Sequence, residues 1–195
     1  MKKKSCLFPT ILLALILLAG CSNKQKPEVA AAPEPTSEQL VKRGEYLVTI
    51  MGCNDCHSPK VVGPQGSQII PELMLSGYPS DRPLLKVETG AFKKGWVLLN
   101  GDLTSAAGPW GVSFAANLTS DPTGIGSWTE DNFKRALKEG KYKGMPGGRI
   151  LLPPMPWFNY ANISDEDVSA IFAYLKSTNP VRNVVPAPIP LDQVK

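Results

Sequence analysis

The sequence predicts an all-α domain with long glycine- and proline-rich loops that can include a small β-hairpin insert. Three segments, residues 37–52, 129–140 and 164–175, have apolar residues at the three- and four-residue spacing of an amphipathic helix. The stretch between residues 57 and 117 lacks this periodicity and has one strand-like run, Trp96 to Leu99. Helices near both ends of the domain, separated by irregular chain, favour a small helical fold.

The first twenty residues are typical of an export signal. Three lysines at positions 2–4 precede an apolar stretch, residues 7–19, that is too short to span a bilayer comfortably. The stretch ends Leu-Ala-Gly-Cys21, which resembles the lipobox of bacterial lipoproteins. Cys21 is therefore the expected lipidation site and the first residue of the mature chain. A plain secretory signal followed by an unmodified cysteine is the alternative.

Composition predicts one domain on a flexible tether. Residues 22–36, SNKQKPEVAAAPEPT, have no large apolar side chain except one valine and contain three prolines, a pattern typical of disordered linkers. Residues 1–20 hold three of the 21 basic residues and none of the 17 acidic ones, so the remainder has a net charge of about +1. This charge gives no support for nucleic-acid binding. The expected units are a signal peptide (1–20), an anchor and linker (21–36), a domain (37–180) and a proline-rich tail (181–195).

The first predicted helix is capped by Ser37 and contains a glycine on its apolar face. Gly44 costs about 1 kcal/mol relative to alanine in a helix, which indicates a close crossing with another helix. The last helix offers that partner, because Ser164 and the acidic residues after it form a helix start before an apolar face. A middle helix is predicted from Thr129 to Gly140, with three inward residues: Phe133, Ala136 and Leu137.

The chemistry is concentrated in the pentapeptide Cys53-Asn54-Asp55-Cys56-His57, which contains the only histidine of the 195 residues. Two thiols at this spacing can bond to the two vinyl groups of one porphyrin, and the adjacent imidazole can bind its iron. A zinc site needs four ligands, more than the chain has left, and a redox dithiol gives no reason for the histidine. The motif therefore predicts one covalently bound haem c, and with Cys21 lipidated no disulfide is expected.

A low-spin electron carrier needs a sixth iron ligand, and the candidates are the methionine thioethers. Met51 lies too close before Cys53, and Met74 falls in the irregular insert. Met145 and Met155 are each followed by proline, and three prolines flank Met155, so the backbone around its sulfur is restrained. Met155 is the preferred ligand. Met145, or an open iron that binds a gas, is the alternative.

Segments in a fixed order carry a resemblance to class I c-type cytochromes, and they are residues 53–59 (CNDCHSP), 108–121 (GPWGVSFAANLTSD), 123–129 (TGIGSWT), 152–160 (LPPMPWFNY) and 165–175. Within that class, the chain most resembles the cytochrome c subunits and relatives of the gluconate and alcohol dehydrogenase type. The resemblance implies a fold in which the first and last helices cross, and a ligand loop containing Met155.

The resemblance also implies two haem propionate contacts. Trp128 lies where an indole N–H can reach a propionate, and Arg149 can pair with one. A core tryptophan and a solvated loop arginine are the alternatives.

The expected function is that of a monohaem c-type cytochrome, not an enzyme, which transfers single electrons between redox partners at the outer face of a bacterial membrane. The expected partners are a dehydrogenase or a terminal acceptor, and the membrane through the lipid on Cys21. The expected location is the periplasmic side or the cell surface. An electron-accepting cytochrome subunit of a dehydrogenase complex, and a haem-based gas-binding or sensing protein, are the alternatives.

Overall fold

The computed structural model describes residues 34–84 and 86–194. The helices are α1 (Ser37–Ile50), α2 (Cys53–His57), α3 (Glu130–Glu139) and α4 (Asp165–Ser177). Short 3₁₀ turns lie at Pro71–Leu73, Thr89–Lys94, Tyr142–Gly144, Trp157–Tyr160 and Leu191–Gln193. Within these ranges, no helix has the length and apolar character needed to cross a membrane. The predicted export signal, Cys21 and most of the tether lie outside the described residues.

The all-α prediction is wrong, because the domain contains two antiparallel β-sheets. In the first, β1 (Lys60–Gly63) pairs with β2 (Gly66–Ile69) across a two-residue turn. In the second, the order is β3 (Leu98–Leu99), β4 (Ser105–Gly108) and β5 (Gly111–Phe114). The strands are two or four residues long and rich in glycine, serine and alanine, so they lack the alternation that identifies strands in sequence. The strand-like run at residues 96–99 corresponds to β3 alone.

The first and last helices cross at Gly44, as the sequence predicts. A Cβ added to Gly44 would lie 2.0 Å from the carbonyl oxygen of Ala170 and 2.7 Å from Cβ of Tyr174, both on α4. The two backbones can therefore approach because this position has no side chain. Around the crossing, α1, α3 and α4 contribute the main buried apolar side chains, which include Leu47, Val48, Phe133, Leu137, Val168, Ile171 and Leu175.

Side-chain caps define the helix ends. Thr129 caps α3, and Gly140 ends it with a left-handed φ of +64°. Ser164 caps α4 by accepting a hydrogen bond from the backbone N–H of Asp167 at 3.1 Å. The cap of α1 is Thr36, one residue before the predicted Ser37. The caps of α3 and α4 are confirmed at the predicted residues.

Residues 181–194 pack against the loops and the second sheet. Ile189 exchanges two backbone hydrogen bonds with Val112 of β5, at 2.8 and 3.0 Å. Asn183 is buried, and its Nδ2 donates to the carbonyl oxygens of Ser76 and Tyr78 at 2.7 and 2.9 Å. The end of the described chain is thereby joined to the loop that follows β2.

Candidate functional site

The predicted haem-attachment motif forms helix α2, a short helix of its own. Gly52 separates α2 from α1 in a left-handed conformation, with φ +69°. Residues three apart lie on the same face of a helix, so the Cys53 and Cys56 thiols share one side. Both thiols are free and half-buried. The spacing and the local helix thus present two sulfurs to one neighbouring group.

The protonation of the two thiols argues against a redox dithiol. Burial raises the pKa of the Cys53 thiol to about 11 and also raises the pKa of Cys56 above its ordinary value. A reactive dithiol needs the opposite shift, because the thiolate is the nucleophile. The raised pKa values of both thiols therefore give no support for a redox dithiol.

His57 is oriented by a backbone carbonyl. Its Nδ1 lies 2.7 Å from the carbonyl oxygen of Ala116. Because a carbonyl only accepts, Nδ1 carries the hydrogen and Nε2 keeps its lone pair. Burial lowers the pKa of His57, although the hydrogen bond to Ala116 opposes this shift. A neutral imidazole with Nε2 available is the form that binds iron.

Polar contacts hold the end of α2 in place. The backbone N–H of Gly77 donates to the carbonyl of His57 at 2.8 Å, and that of Leu75 donates to Oγ of Ser58 at 2.8 Å. Nζ of Lys60 donates to the carbonyls of Asp55 and Ser58 at 2.6 and 3.0 Å. Lys60 thus satisfies the carbonyls of Asp55 and Ser58 at this helix end, and Gly77 satisfies that of His57.

The structure separates the two methionine candidates by burial. Met155 is half-buried and packs against the hydrophobic core, as do Cys53 and Trp128. Met145 is 55% exposed on the loop after α3. Tyr160 follows the methionine loop (residues 152–156) and contacts the turn between α1 and α2, since its hydroxyl donates to the carbonyl of Met51 at 3.4 Å. Burial, and then the nearby cysteines, raise the pKa of Tyr160.

Trp128 and Arg149, the two predicted propionate contacts, lie in different surroundings. Trp128 is half-buried against the core at the start of α3. Arg149 is exposed, with its guanidinium 4.1 Å from the centre of the Tyr142 ring and one N–H donated to the carbonyl of Ile150. Cys53, Met155 and Trp128 therefore pack against one core, whereas Arg149 and Met145 lie on an exposed loop.

Sequence reasoning missed the residues that position the site. Ala116 acts through its backbone, and so leaves no side-chain signal. Asn117 is buried and accepts from the N–H and hydroxyl of Thr119 at 2.9 and 2.8 Å, while donating to the carbonyl of Val181. Both residues lie in the segment 108–121, which carries the resemblance. The resemblance was therefore the sequence signal that could have identified them.

A concave surface of the described residues lies away from the predicted site. It is an open groove of about 630 Å³ on the second sheet, lined by residues that include Tyr78, Leu98, Phe114 and Ile189. None of the predicted site residues lines it. The chemistry of the pentapeptide, not cavity size, therefore identifies the functional site.

Comparisons with known proteins agree with this chemistry. The chain is 32% identical over 146 residues to a gluconate 2-dehydrogenase cytochrome c subunit of Pantoea cypripedii, which covers 74% of this chain and 24% of that protein. It is 28% identical over 146 residues to the cytochrome c subunit of a quinone-dependent alcohol dehydrogenase of Gluconobacter oxydans, covering 74% and 23%. It is 27% identical over 176 residues to a diheme c-type cytochrome of Cereibacter sphaeroides, covering 86% and 47%. No protein-family model matches the chain.

The chain spans about a quarter of the dehydrogenase subunits that it matches. The first two relatives are named as cytochrome c subunits of dehydrogenases, and the third as a diheme cytochrome. The predicted resemblance to cytochrome c subunits of dehydrogenases is therefore confirmed.

Proposed function

We propose that this relative of dehydrogenase cytochrome c subunits carries one haem c and passes single electrons between protein partners at the outer face of a bacterial membrane. The observation that carries the proposal is helix α2, on which two same-side thiols precede a neutral imidazole with its Nδ1 engaged. This donor set fits the group that the relatives' names imply. When bound, haem c supplies the one-electron couple of its iron.

The chain's own residues have separable roles in this proposal. Cys53 and Cys56 would hold the haem covalently, and His57 would bind its iron through Nε2. The carbonyl of Ala116 fixes the imidazole ring and its tautomer. Met155 is the proposed second axial ligand, and its half-burial against the core that Cys53 and Trp128 also contact favours it over the exposed Met145. Thioether ligation and a low-dielectric surrounding both favour the reduced iron.

The two dehydrogenase relatives favour one class of partner. Each of the two dehydrogenase relatives is named as a subunit of an oxidising enzyme. We therefore propose a dehydrogenase as the electron donor, with this chain either as a mobile carrier or as a bound cytochrome subunit. Co-purification of the wild-type chain with a catalytic subunit through a salt wash is expected for the bound subunit, and isolation as a lone cytochrome is expected for the carrier.

The covalent haem is tested by removing both thiols. The variant Cys53→Ser/Cys56→Ser should lose haem staining on a denaturing gel and should not accumulate as a folded protein, because the haem completes the core. The matched control, Cys21→Ala, should keep the haem and its absorption spectrum. The proposal would be refuted if haem staining persisted in the double variant, or if the wild-type protein showed no haem staining.

The same control variant tests the proposed anchor. If Cys21 carries the lipid, Cys21→Ala should move the protein from the membrane pellet to the soluble fraction, because the substitution removes the thiol to which the lipid is attached. Wild-type protein in the soluble fraction would contradict lipid anchoring and would leave the haem proposal unaffected.

A further inference from the structure

Strand β5 and the residues after it contact both segments that supply the proposed iron ligands. At one end, Ser113 hydrogen-bonds the methionine loop, and three residues later Ala116 accepts the hydrogen bond from His57. Strand β5 is held by its pairing with β4, in which Ser113 lies opposite Ala106. A single stretch of four residues thus spans from the histidine side to the methionine side of the site.

The contact at Ser113 is short and buried. The side-chain hydroxyl donates to the carbonyl of Pro153 at 2.5 Å, and the residue is 8% exposed. Trp110 donates its indole N–H to the same hydroxyl oxygen at 3.2 Å, and this second hydrogen bond restrains the oxygen. A weaker contact to the carbonyl of Ala106, at 3.4 Å, lies within the sheet.

The methionine loop has few backbone hydrogen-bond donors. Prolines at 153, 154 and 156 have no N–H to donate, so this part of the loop cannot form a regular ladder. Pro156 accepts a hydrogen bond from the backbone N–H of Asn159, three residues later, at 2.9 Å. Within residues 34–84 and 86–194, the Ser113 hydroxyl makes the hydrogen bond that joins residues 152–156 to a distant part of the chain. The bonded carbonyl lies two residues before Met155.

We infer that Ser113 is a positioning residue that holds the thioether of Met155 at the iron. The inference rests on the proposed function, since it needs a haem with Met155 as its axial ligand. Loss of the hydroxyl frees the Pro153 carbonyl from the sheet, and the loop then samples positions in which the sulfur leaves the iron. A typical neutral hydrogen bond predicts a rise of about fivefold in the sulfur-released population.

The test is an imidazole titration of the oxidised, haem-loaded protein, because imidazole binds only where the sulfur has left. Ser113→Ala should raise the apparent imidazole affinity about fivefold and weaken the red charge-transfer band that marks iron–thioether bonding. Ser113→Thr keeps the hydroxyl and should behave as the wild type. The matched control is Ser120→Ala, which removes another serine-to-carbonyl bond, 2.6 Å to Thr178, and should leave both readouts unchanged.

Ser113→Cys covers the case in which the alanine variant does not fold. A thiol is a weak donor of similar shape, so this variant should lie between the wild type and the expected alanine result. Equal imidazole affinities in wild type, Ser113→Cys and Ser113→Ala would overturn the inference alone. A haem-loaded wild type without the charge-transfer band would overturn the Met155 assignment and this inference together. A wild type without haem would overturn the proposed function.

Discussion

At the scale of single residues, Met155 and Met145 form a natural pair of variants. Both are methionines followed by proline, but one packs against the core and the other is 55% exposed. Met155→Ala should abolish the iron–thioether band, open the reduced iron to carbon monoxide and lower the reduction potential by roughly tenths of a volt, since axial ligands set haem potentials over about 0.8 V. Met145→Ala should do none of these things. Exchanged phenotypes would make Met145 the ligand.

Gly44 gives a second prediction for a single residue, which concerns the stability of the fold. Gly44→Ala gains about 1 kcal/mol of helix propensity, but the new methyl group would meet the Ala170 carbonyl at 2.0 Å. Backbone cannot move as a flexible side chain can, so the crossing must open, and we expect a net loss of about 2 kcal/mol or more in denaturant unfolding. Gly90→Ala is the control, since nothing lies within 4 Å of its added Cβ. Equal stability of the two variants would contradict the close crossing.

Gly44 could be predicted from sequence, and Ala116 could not, for one physical reason. A glycine in a helix carries an energetic cost that demands an explanation in packing. A backbone carbonyl exists at every position, so nothing in the sequence distinguishes the one that orients His57. Ser113 is intermediate, because its hydroxyl is visible in the sequence but its partner Pro153 lies 40 residues away.

At the scale of elements, helices α1, α3 and α4 followed from the sequence, whereas α2 and the sheets did not. Helix caps and apolar spacing are local signals, and α3 begins and ends at the predicted residues. The second sheet depends on distant contacts that local patterns do not carry. The loop between β3 and β4 is stabilised by the buried carboxylate of Asp102. This carboxylate accepts hydrogen bonds from the N–H and hydroxyl of Thr104 at 3.2 and 2.6 Å, and it pairs with Arg82 at 2.7 Å. The sheet matters because its last strand positions the site.

An ion pair between α3 and the start of α4 predicts an acid-sensitive stability. Asp165 lies 2.5 Å from Nζ of Lys134 and 2.9 Å from Nζ of Lys138, and these hydrogen bonds lower its pKa from 3.8 to about 2. Because the folded pKa is below the unfolded one, the stabilisation is present above pH 4 and is lost as the pH falls towards 2. Asp165→Asn should therefore flatten the free energy of unfolding across this pH window.

The control for that measurement is Glu166→Gln, its neighbour in the first turn of α4. It removes the same charge from the same helix end, but Glu166 makes no ion pair with the described residues. Urea unfolding at several pH values between 2 and 5 would separate the two. A wild-type slope that persists in Asp165→Asn would assign the acid sensitivity to other groups.

At the scale of the whole molecule, charge is distributed unevenly although the net charge is small. Residues 140–164 contain three basic residues and no carboxylate, and they include Met155. The three cations are Lys141, Lys143 and Arg149, and the latter two stack on Tyr142. Four large apolar side chains of this segment are also exposed: Tyr142, Met145, Ile150 and Phe158. A surface of this kind favours an acidic partner and makes encounter rates depend on salt.

Charge reversal tests whether this segment controls electron exchange. The variant Lys141→Glu/Lys143→Glu/Arg149→Glu should slow reduction by ascorbate, an anion, several-fold at low salt, and should speed oxidation by a tripositive cobalt complex. The difference should vanish near 1 M salt, where the screening length falls to about 3 Å. The control Lys86→Glu/Lys93→Glu/Lys94→Glu changes the net charge equally, on exposed lysines outside this segment. If both triple variants respond alike, only net charge matters, and electrons do not enter near Met155.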